Sequence, residues 1–326
     1  MNKNTSTPQV SSRKTIRYHF DRLKEHERPL KESVLDPFDN QYGRMLSDDI
    51  SNGILPWSSE STNFDFALNP ANKQTESLIT QALRRNEYSR DLASATSEFI
   101  RNCAQEILNL SEATYELVYF SSNPSSPPVT FRLEYFDSRT LVHRKGRLYQ
   151  YVPEELRAEH NLPSMIELDK GKIFTFTPPA LSPDWKSTLN ALSSFRMGLP
   201  EFALAAIGNQ DEVQFEWQTH FSTQEVALAG VTRALGWNAR DLLGKSPLEY
   251  YVVHRALLFE RFKIQLRSSI ISQINKTLDT AGKQLGFQAL VSTKGLPTNE
   301  TIVDAQEKLH SGSASFGEIL KPFCRR

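Results

Sequence analysis

The sequence is poor in the features that announce chemistry. Its 326 residues include two cysteines, Cys103 and Cys324. Neither sits in a CxxC pair or a Cys/His cluster, which argues against a disulfide framework or a structural zinc site. Two reduced thiols in a reducing compartment are expected instead. Neither charge is in excess, with 38 Lys+Arg against 38 Asp+Glu. No global positive field exists to draw in nucleic acid, although a channel could still let a polyanion pass without gripping it. No apolar run approaches the ~18 residues of a membrane span. The opening stretch MNKNTSTPQVSSRK lacks the apolar core of a signal peptide, so no export by that route is expected. The phosphate loop GxxxxGK[ST], the dinucleotide fingerprint GxGxxG, the elbow GxSxG and the zinc helix HExxH are all missing. The expectation is a protein that is not an enzyme and takes no cofactor or metal.

The titratable residues present give little more. The seven histidines are scattered: His19, His26, His143, His160, His220, His254 and His310. His254 lies near Glu249 and Arg255 and reads as a surface or interface group. His143, beside Arg144 and Lys145, reads as solvated strand. Asp48-Asp49 reads as solvated loop rather than a cation site.

What is there is pattern. Apolar residues make up 39% of the chain, below the usual globular share, while aromatics reach 10%. An elongated protomer, or one that hides surface in an assembly, has such a composition. Residues 1–14 read as a disordered tail and 15–73 as an irregular N-terminal arm. That arm holds a helix over 15–27, then a stretch broken by Pro37, Gly43, Gly53, Pro56 and Pro70. Residues 74–217 read as an α/β region. Helices are expected over 75–85 and 88–110, the second with Leu92, Ala95, Phe99, Cys103 and Ile107 on one face. Strands 114–120 and 129–136 flank the loop SSNPSSPP. Two hairpins are expected: 140–143 with 147–152 across Arg144-Lys145-Gly146, and 165–168 with 172–176 across Asp169-Lys170-Gly171. The aromatic-rich strands should form a sheet against the 88–110 helix. A helix over 185–207, broken near Gly198, and a strand over 213–217 complete the region. The fold class is α+β.

Residues 218–326 read as a helical region. A capping box Ser222-Thr223-Gln224-Glu225 opens a helix over 222–235. The longest element is a helix over 246–281, introduced by Ser246-Pro247-Leu248-Glu249. Leu248, Tyr251, Val252, Leu258, Phe259, Phe262, Leu266, Ile270, Ile274 and Leu278 recur along it, and Gly282 is placed to terminate it. At ~1.5 Å per residue it would run roughly 50 Å. Such length implies that part of its apolar stripe is covered by a neighbouring copy. Arg255, Arg261, Lys263, Arg267, Lys276 and Lys283 outnumber the acids along it and are the candidates for phosphate or channel contact; an ordinary solvated face gives the same pattern. A strand over 287–292, a helix over 299–310 stopped near Gly312, and a short helix capped at Ser315 finish the chain.

One resemblance attaches to these residues. The carrying positions are Leu235-Gly236-Trp237, Tyr250-Tyr251, Arg255, Phe259, Phe262, Ile270, Ile274-Asn275, Leu278, Gly286-Phe287, Gly295-Leu296-Pro297-Thr298, Leu309, Gly312 and Phe316-Gly317-Glu318-Ile319. Over 235–323 the chain resembles the distal part of a tailed-bacteriophage portal protein. Residues 131–136, Gly146, Gln150, Val152-Pro153 and Ile173-Phe174-Thr175-Phe176 resemble its β-rich wing. The chain is shorter than portals usually are, no paired stem, clip or crown can be placed, and residues 1–73 match nothing in the family. The resemblance implies a homo-oligomeric ring, a dodecamer, at one capsid vertex. That ring conducts double-stranded DNA during genome packaging, docks the terminase, and joins capsid to neck and tail. It implies location in the virion, and in the host cytoplasm during assembly, with no membrane partner. The alternative is a non-enzymatic oligomeric scaffold or interaction protein of phage or bacterial origin. An enzyme whose site is assembled from separate segments is a third reading.

Overall fold

The computed structural model describes residues 10–18, 23–24, 41–55, 64–86, 88–178, 187–188, 191–192, 226–238 and 248–323. It is an α+β protein whose chain divides into two compact units. The first comprises residues 1–32, 59–178 and 267–296; the second comprises 33–58, 179–266 and 297–326.

The first unit is built on strand β3 (Ala113–Ser121). It pairs antiparallel with β4 (Thr130–Phe136), β8 (Ile173–Phe176) and the short β1 (Val10–Ser11). Seven of the nine β3 residues are buried, so the strand is covered on both faces. On one face Tyr115 meets Phe99 of helix α3 (Leu92–Leu110), with ring centroids 4.9 Å apart. Helix α3 starts at Asp91, which forms a reciprocal capping box with Ser94. Its expected apolar face, Leu92, Ala95, Phe99, Cys103 and Ile107, is buried throughout.

The other face carries a charge problem. Glu116 and Glu134 stand directly opposite each other in the β3–β4 register, an arrangement that costs stability when left alone. The N-terminal segment resolves it. Glu116 is 3% exposed and accepts hydrogen bonds from the Lys14 and Thr15 amides at 3.0 and 2.9 Å and from Thr15 Oγ1 at 2.6 Å. Glu134 pairs with Arg17. The amide of Gln150 then exchanges bonds with the backbone of Ile16, at 2.7 and 2.8 Å. Residues 12–18 are therefore extended and strapped across the sheet, not helical as the sequence suggested. The rest of the expected 15–27 helix, apart from 23–24, lies outside the described residues.

A second, three-stranded sheet holds β5 (Leu141–Arg144), β6 (Arg147–Tyr151) and β7 (Met165–Leu168) in that order. The expected β5–β6 hairpin is present, turning on Lys145 and Gly146 at φ 46° and 77°. The expected second hairpin is not. Strand β7 pairs with β6, while β8 pairs with β3 in the other sheet. Lys170–Lys172 is instead a 3-10 turn, capped by the Asp169 carboxylate on the Gly171 amide, that carries the chain between sheets. Helix α4 (Glu154–His160), between β6 and β7, went unread in the sequence.

Strand β2 (Asp65–Asn69) pairs with β9 (Leu290–Lys294), 225 residues away in the chain at Ala67–Ser292. The Asn275 amide meets the Val291 backbone with two hydrogen bonds, 2.8 and 3.0 Å. This occupies an edge that would otherwise be left unpaired. Helix α2 (Lys73–Leu83) starts at Asn72, whose side chain accepts from the Gln74 and Thr75 amides.

The long helix, α5, spans Glu249–Leu285. Residues 249–266 belong to the second unit and 267–285 to the first. Its capping signal at Ser246-Pro247 lies outside the described residues. The expected stop at Gly282 is corrected: the helix passes through Gly282, and Gly286, at φ 75°, ends it. The glycine at 282 serves close approach instead. A Cβ there would lie 2.2 Å from the Phe287 carbonyl oxygen. Alanine in a helix is worth up to about 1 kcal/mol over glycine, whereas overpacking costs about 1–3 kcal/mol. Gly282→Ala is therefore expected to destabilise by about 1–2 kcal/mol, measurable as a lower denaturant midpoint; a gain in stability would refute the close approach.

In the second unit α5 is buried on two sides. Val253, Leu257 and Ile264 pack with Ile302, Ala305 and Leu309 of α6 (Asn299–Ser311), and with Ile319 and Phe323. The expected stop of helix α6 at Gly312, in the left-handed region, is present; its start is capped by Thr298, which the sequence pattern marks only as part of a turn. Ser315 and Glu318 form the capping box of α7 (Phe316–Leu320). On another side of α5, Arg255 and Leu258 meet the turn that follows the helical residues 226–231. Helix α1 (Gln41–Gly53) lies within the stretch the sequence marked as irregular. The expected helix over 185–207 is described only at 187–188 and 191–192, where it is helical; that over 222–235 is described from 226, is helical over 226–231, and ends earlier than expected in a turn over 232–236. The expected strand over 213–217 and the Ser222 capping box fall outside the described residues.

Candidate functional site

The six α5 cations do not share one environment. Arg255, Lys263 and Arg267 are buried, at 1%, 7% and 6% exposure, while Arg261, Lys276 and Lys283 are exposed. Arg255 is a hub inside the second unit. Its guanidinium donates to Asn238 Oδ1 at 2.8 Å, the Ala229 carbonyl at 3.0 Å, Thr232 Oγ1 at 2.7 Å and the Trp237 carbonyl at 2.6 Å. The Trp237 indole N–H in turn donates to Asp49 at 2.8 Å. Asp49 is thus on helix α1 and structurally engaged, not a solvated loop residue. Lys263 bonds Glu260 at 2.6 Å and stands 4.8 Å from the Phe259 ring centroid. Lys283 pairs with Asp279 at 2.6 Å, one turn before it. The exposed three are spread over 22 residue positions of the helix, or roughly 33 Å.

The apolar stripe is treated similarly. Phe262, Leu266, Ile270, Ile274, Leu278 and Ala281 are buried within the chain itself. From Phe262 onward no neighbouring copy is needed to cover them, contrary to the expectation from length. Leu248 and Tyr250, at the start of the element, remain 82% and 41% exposed.

Two groupings were invisible in the sequence because their members are far apart in it. In the second unit the rings of His254 and His310 lie 6.5 Å apart, with Tyr250 stacked on His254. In the first unit a polar cluster sits beside the α3–β3 contact. Arg85 donates to the Tyr115 hydroxyl at 2.6 Å, and the Tyr135 hydroxyl donates to Glu106 at 2.8 Å. Burial, first of all, raises the Glu106 carboxyl above its ordinary range, against the hydrogen bond from Tyr135 and the charge of Arg85. Burial and the Glu106 charge push the Tyr135 hydroxyl up. Cys103, fully buried, has its thiol pushed well up, which makes it a poor nucleophile. Among the described residues no three His, Cys, Asp or Glu side chains converge as a metal site, and no helix is long and apolar enough to cross a membrane.

Glu106 has a pH consequence. An acid whose folded pKa is raised contributes stability that is fully present below its unfolded pKa and is lost as pH rises through the folded one. Glu106→Gln removes that loss while keeping an acceptor for Tyr135. The variant is expected to gain in melting temperature relative to the parent as pH rises from the ordinary carboxyl range through the raised pKa of Glu106. Parallel pH profiles would show that Glu106 is not desolvated as described.

No protein-family model and no curated protein matches the sequence. Solved structures do match. A chain from the neck of an empty gene transfer agent (GTA) particle, computed with C6 symmetry, aligns at a TM-score of 0.50 and 13% identity, covering 91% of this chain and 94% of that one. The fold is similar to that of a GTA neck component. Two further chains align less well. One is from the virion of a native GTA particle, at TM-score 0.47, 12% identity and coverage of 90% and 93%. The other is from the neck of a native GTA particle with C12 symmetry, at TM-score 0.49, 12% identity and coverage of 92% and 96%. At such identities the likeness is one of fold.

Proposed function

We propose that the chain is a structural subunit of the head–tail junction of a phage-like particle. More specifically, it forms a portal ring at one capsid vertex, through which DNA is packaged and to which the neck attaches. The observation that carries the reading is the match in fold over nearly the full length of both chains with a GTA neck component. The sequence resemblance to portal proteins over 235–323 supports it independently. No chemistry is required of such a subunit. Its partners would be further copies of itself, double-stranded DNA in the channel, the terminase, and capsid and neck proteins.

The self-burial of the α5 stripe favours one alternative, a small non-enzymatic scaffold with no ring. Electron microscopy of the purified full chain separates the two. Closed rings, twelvefold by expectation, support the portal reading. A persistent monomer or small open oligomer, including in the presence of capsid protein, overturns it.

A further inference from the structure

The cations singled out on α5 are largely engaged, but another group is not. At the end of α2 and beside β4 lies a cleft of about 400 Å³ lined by Gln81, Arg84, Arg85, Asn86 and Arg132. All five are exposed. The lining contains three guanidiniums and no carboxylate, and among the described residues no ion pair neutralises Arg84, Arg85 or Arg132.

Two of the three are held in place without losing charge. The Arg132 guanidinium sits 5.6 Å from the Phe120 ring centroid. Arg85 sits 5.0 and 5.4 Å from those of Tyr115 and Tyr135, with one N–H on the Tyr115 hydroxyl. An aromatic face orients a guanidinium and leaves its N–H edge available to an anion. Arg84 uses its Nε on the Asn86 carbonyl at 2.8 Å, leaving its terminal nitrogens. Arg13 and Arg17 lie close by and share Glu134 as their ion-pair partner; Arg17 is held down by burial first and then by repulsion from Arg13, Arg85 and Arg132. Glu134 is taken up by Arg13 and Arg17, so the three cleft guanidiniums repel one another, at a cost in stability that a bound anion would relieve.

We propose that this arginine cleft binds the sugar–phosphate backbone of a nucleic acid. The Asn86 amide already donates to Glu98 at 2.6 Å, but three guanidiniums and the Gln81 amide still present more donors than one carboxylate, with its two oxygens and single charge, can use. The cleft also continues. Gln81 is shared with a second cleft along α2, lined by Gln74, Ser77 and Thr130 and by no charged residue. A polymer of phosphates can run from one into the other without crossing a carboxylate in either lining. The inference deepens the DNA-conducting part of the proposed function and is separable from it, because binding can be measured whether or not rings form.

The test uses the full chain, a fluorescein-labelled DNA duplex of about 20 base pairs, a polyglutamate peptide and inorganic phosphate. Arg84→Gln with Arg132→Gln leaves the Arg85–Tyr115 bond intact, and unchanged melting confirms the fold. The double variant is expected to bind duplex at least tenfold more weakly at low salt. Its dependence of log K on log salt should be shallower by about 1–2, near 0.9 for each phosphate no longer neutralised. Equal affinity and slope for variant and parent overturn the proposal. So does binding of polyglutamate or of inorganic phosphate alone with no binding of duplex. Rings that form normally while duplex binding is unaffected by the variant would sink this inference and leave the portal reading standing.

Discussion

Arg255→Met is expected to lower the stability of the second unit by about 3–5 kcal/mol. The guanidinium satisfies four acceptors at once, among them the Ala229 and Trp237 carbonyls. Methionine fills much of the volume but donates nothing. Each buried acceptor left unpaired costs about 1–3 kcal/mol, and the site at 1% exposure admits little water to replace the donor. Lysine should recover only part of the loss, since an ammonium cannot spread its donors across the span of a planar fork. Denaturant unfolding of both variants reads the effect. A loss below about 1 kcal/mol for methionine would mean the hub is dispensable.

Gly236→Ala is expected to be comparably severe. Gly236 has φ 72°, and a Cβ there would lie 2.1 Å from the Arg255 carbonyl oxygen and 2.7 Å from Leu258 Cβ. The left-handed conformation alone costs a side-chain residue about 1–2 kcal/mol. The collision adds an overpacking cost of about 1–3 kcal/mol, because the obstacle is helix backbone and cannot rotate aside. A total of about 2–5 kcal/mol follows. Hydrogen exchange of the amides around Leu257 should accelerate in step with the lost stability. Parental exchange in the alanine variant would contradict the close packing of this turn on α5. Together the two substitutions ask whether the Leu235-Gly236-Trp237 turn is held by its donors or by its fit.

Local signals survive translation into structure, and long-range ones do not. The cap at Ser315, the Gly312 stop and the buried face of α3 are legible because each depends on neighbours within a turn or two. Helix α1 carries a readable spacing that flanking prolines and internal glycines obscure: Tyr42, Leu46, Ile50 and Ile54 recur every four residues and are all buried. The Asp169-Lys170-Gly171 turn shows where pattern fails. Its residues suit a hairpin, but the choice between β6 and β3 as partner is made by tertiary packing. Gly282 suits a helix end by its conformational freedom, whereas its lack of a side chain is what matters. For the site, residue counts along α5 do not tell an internal donor such as Arg255 from a solvated one. The Arg84–Arg85–Arg132 grouping joins a helix end to a strand 47 positions later, which no local pattern encodes.

The chain passes between its two units five times, at residues 32/33, 58/59, 178/179, 266/267 and 296/297. Neither unit is therefore a continuous stretch of polypeptide. A ribosome making this protein cannot release a finished first unit until β9 has emerged to meet β2, nor a finished second unit until α6 and α7 follow. Residues up to β9 must be made before the first unit can close, and residues up to α7 before the second can, so early exposure of β2 and α1 is built into the order of the segments. By the same logic, removing residues 1–32 damages the first unit and removing 297–326 the second, while a cut at any point between them divides at least one unit.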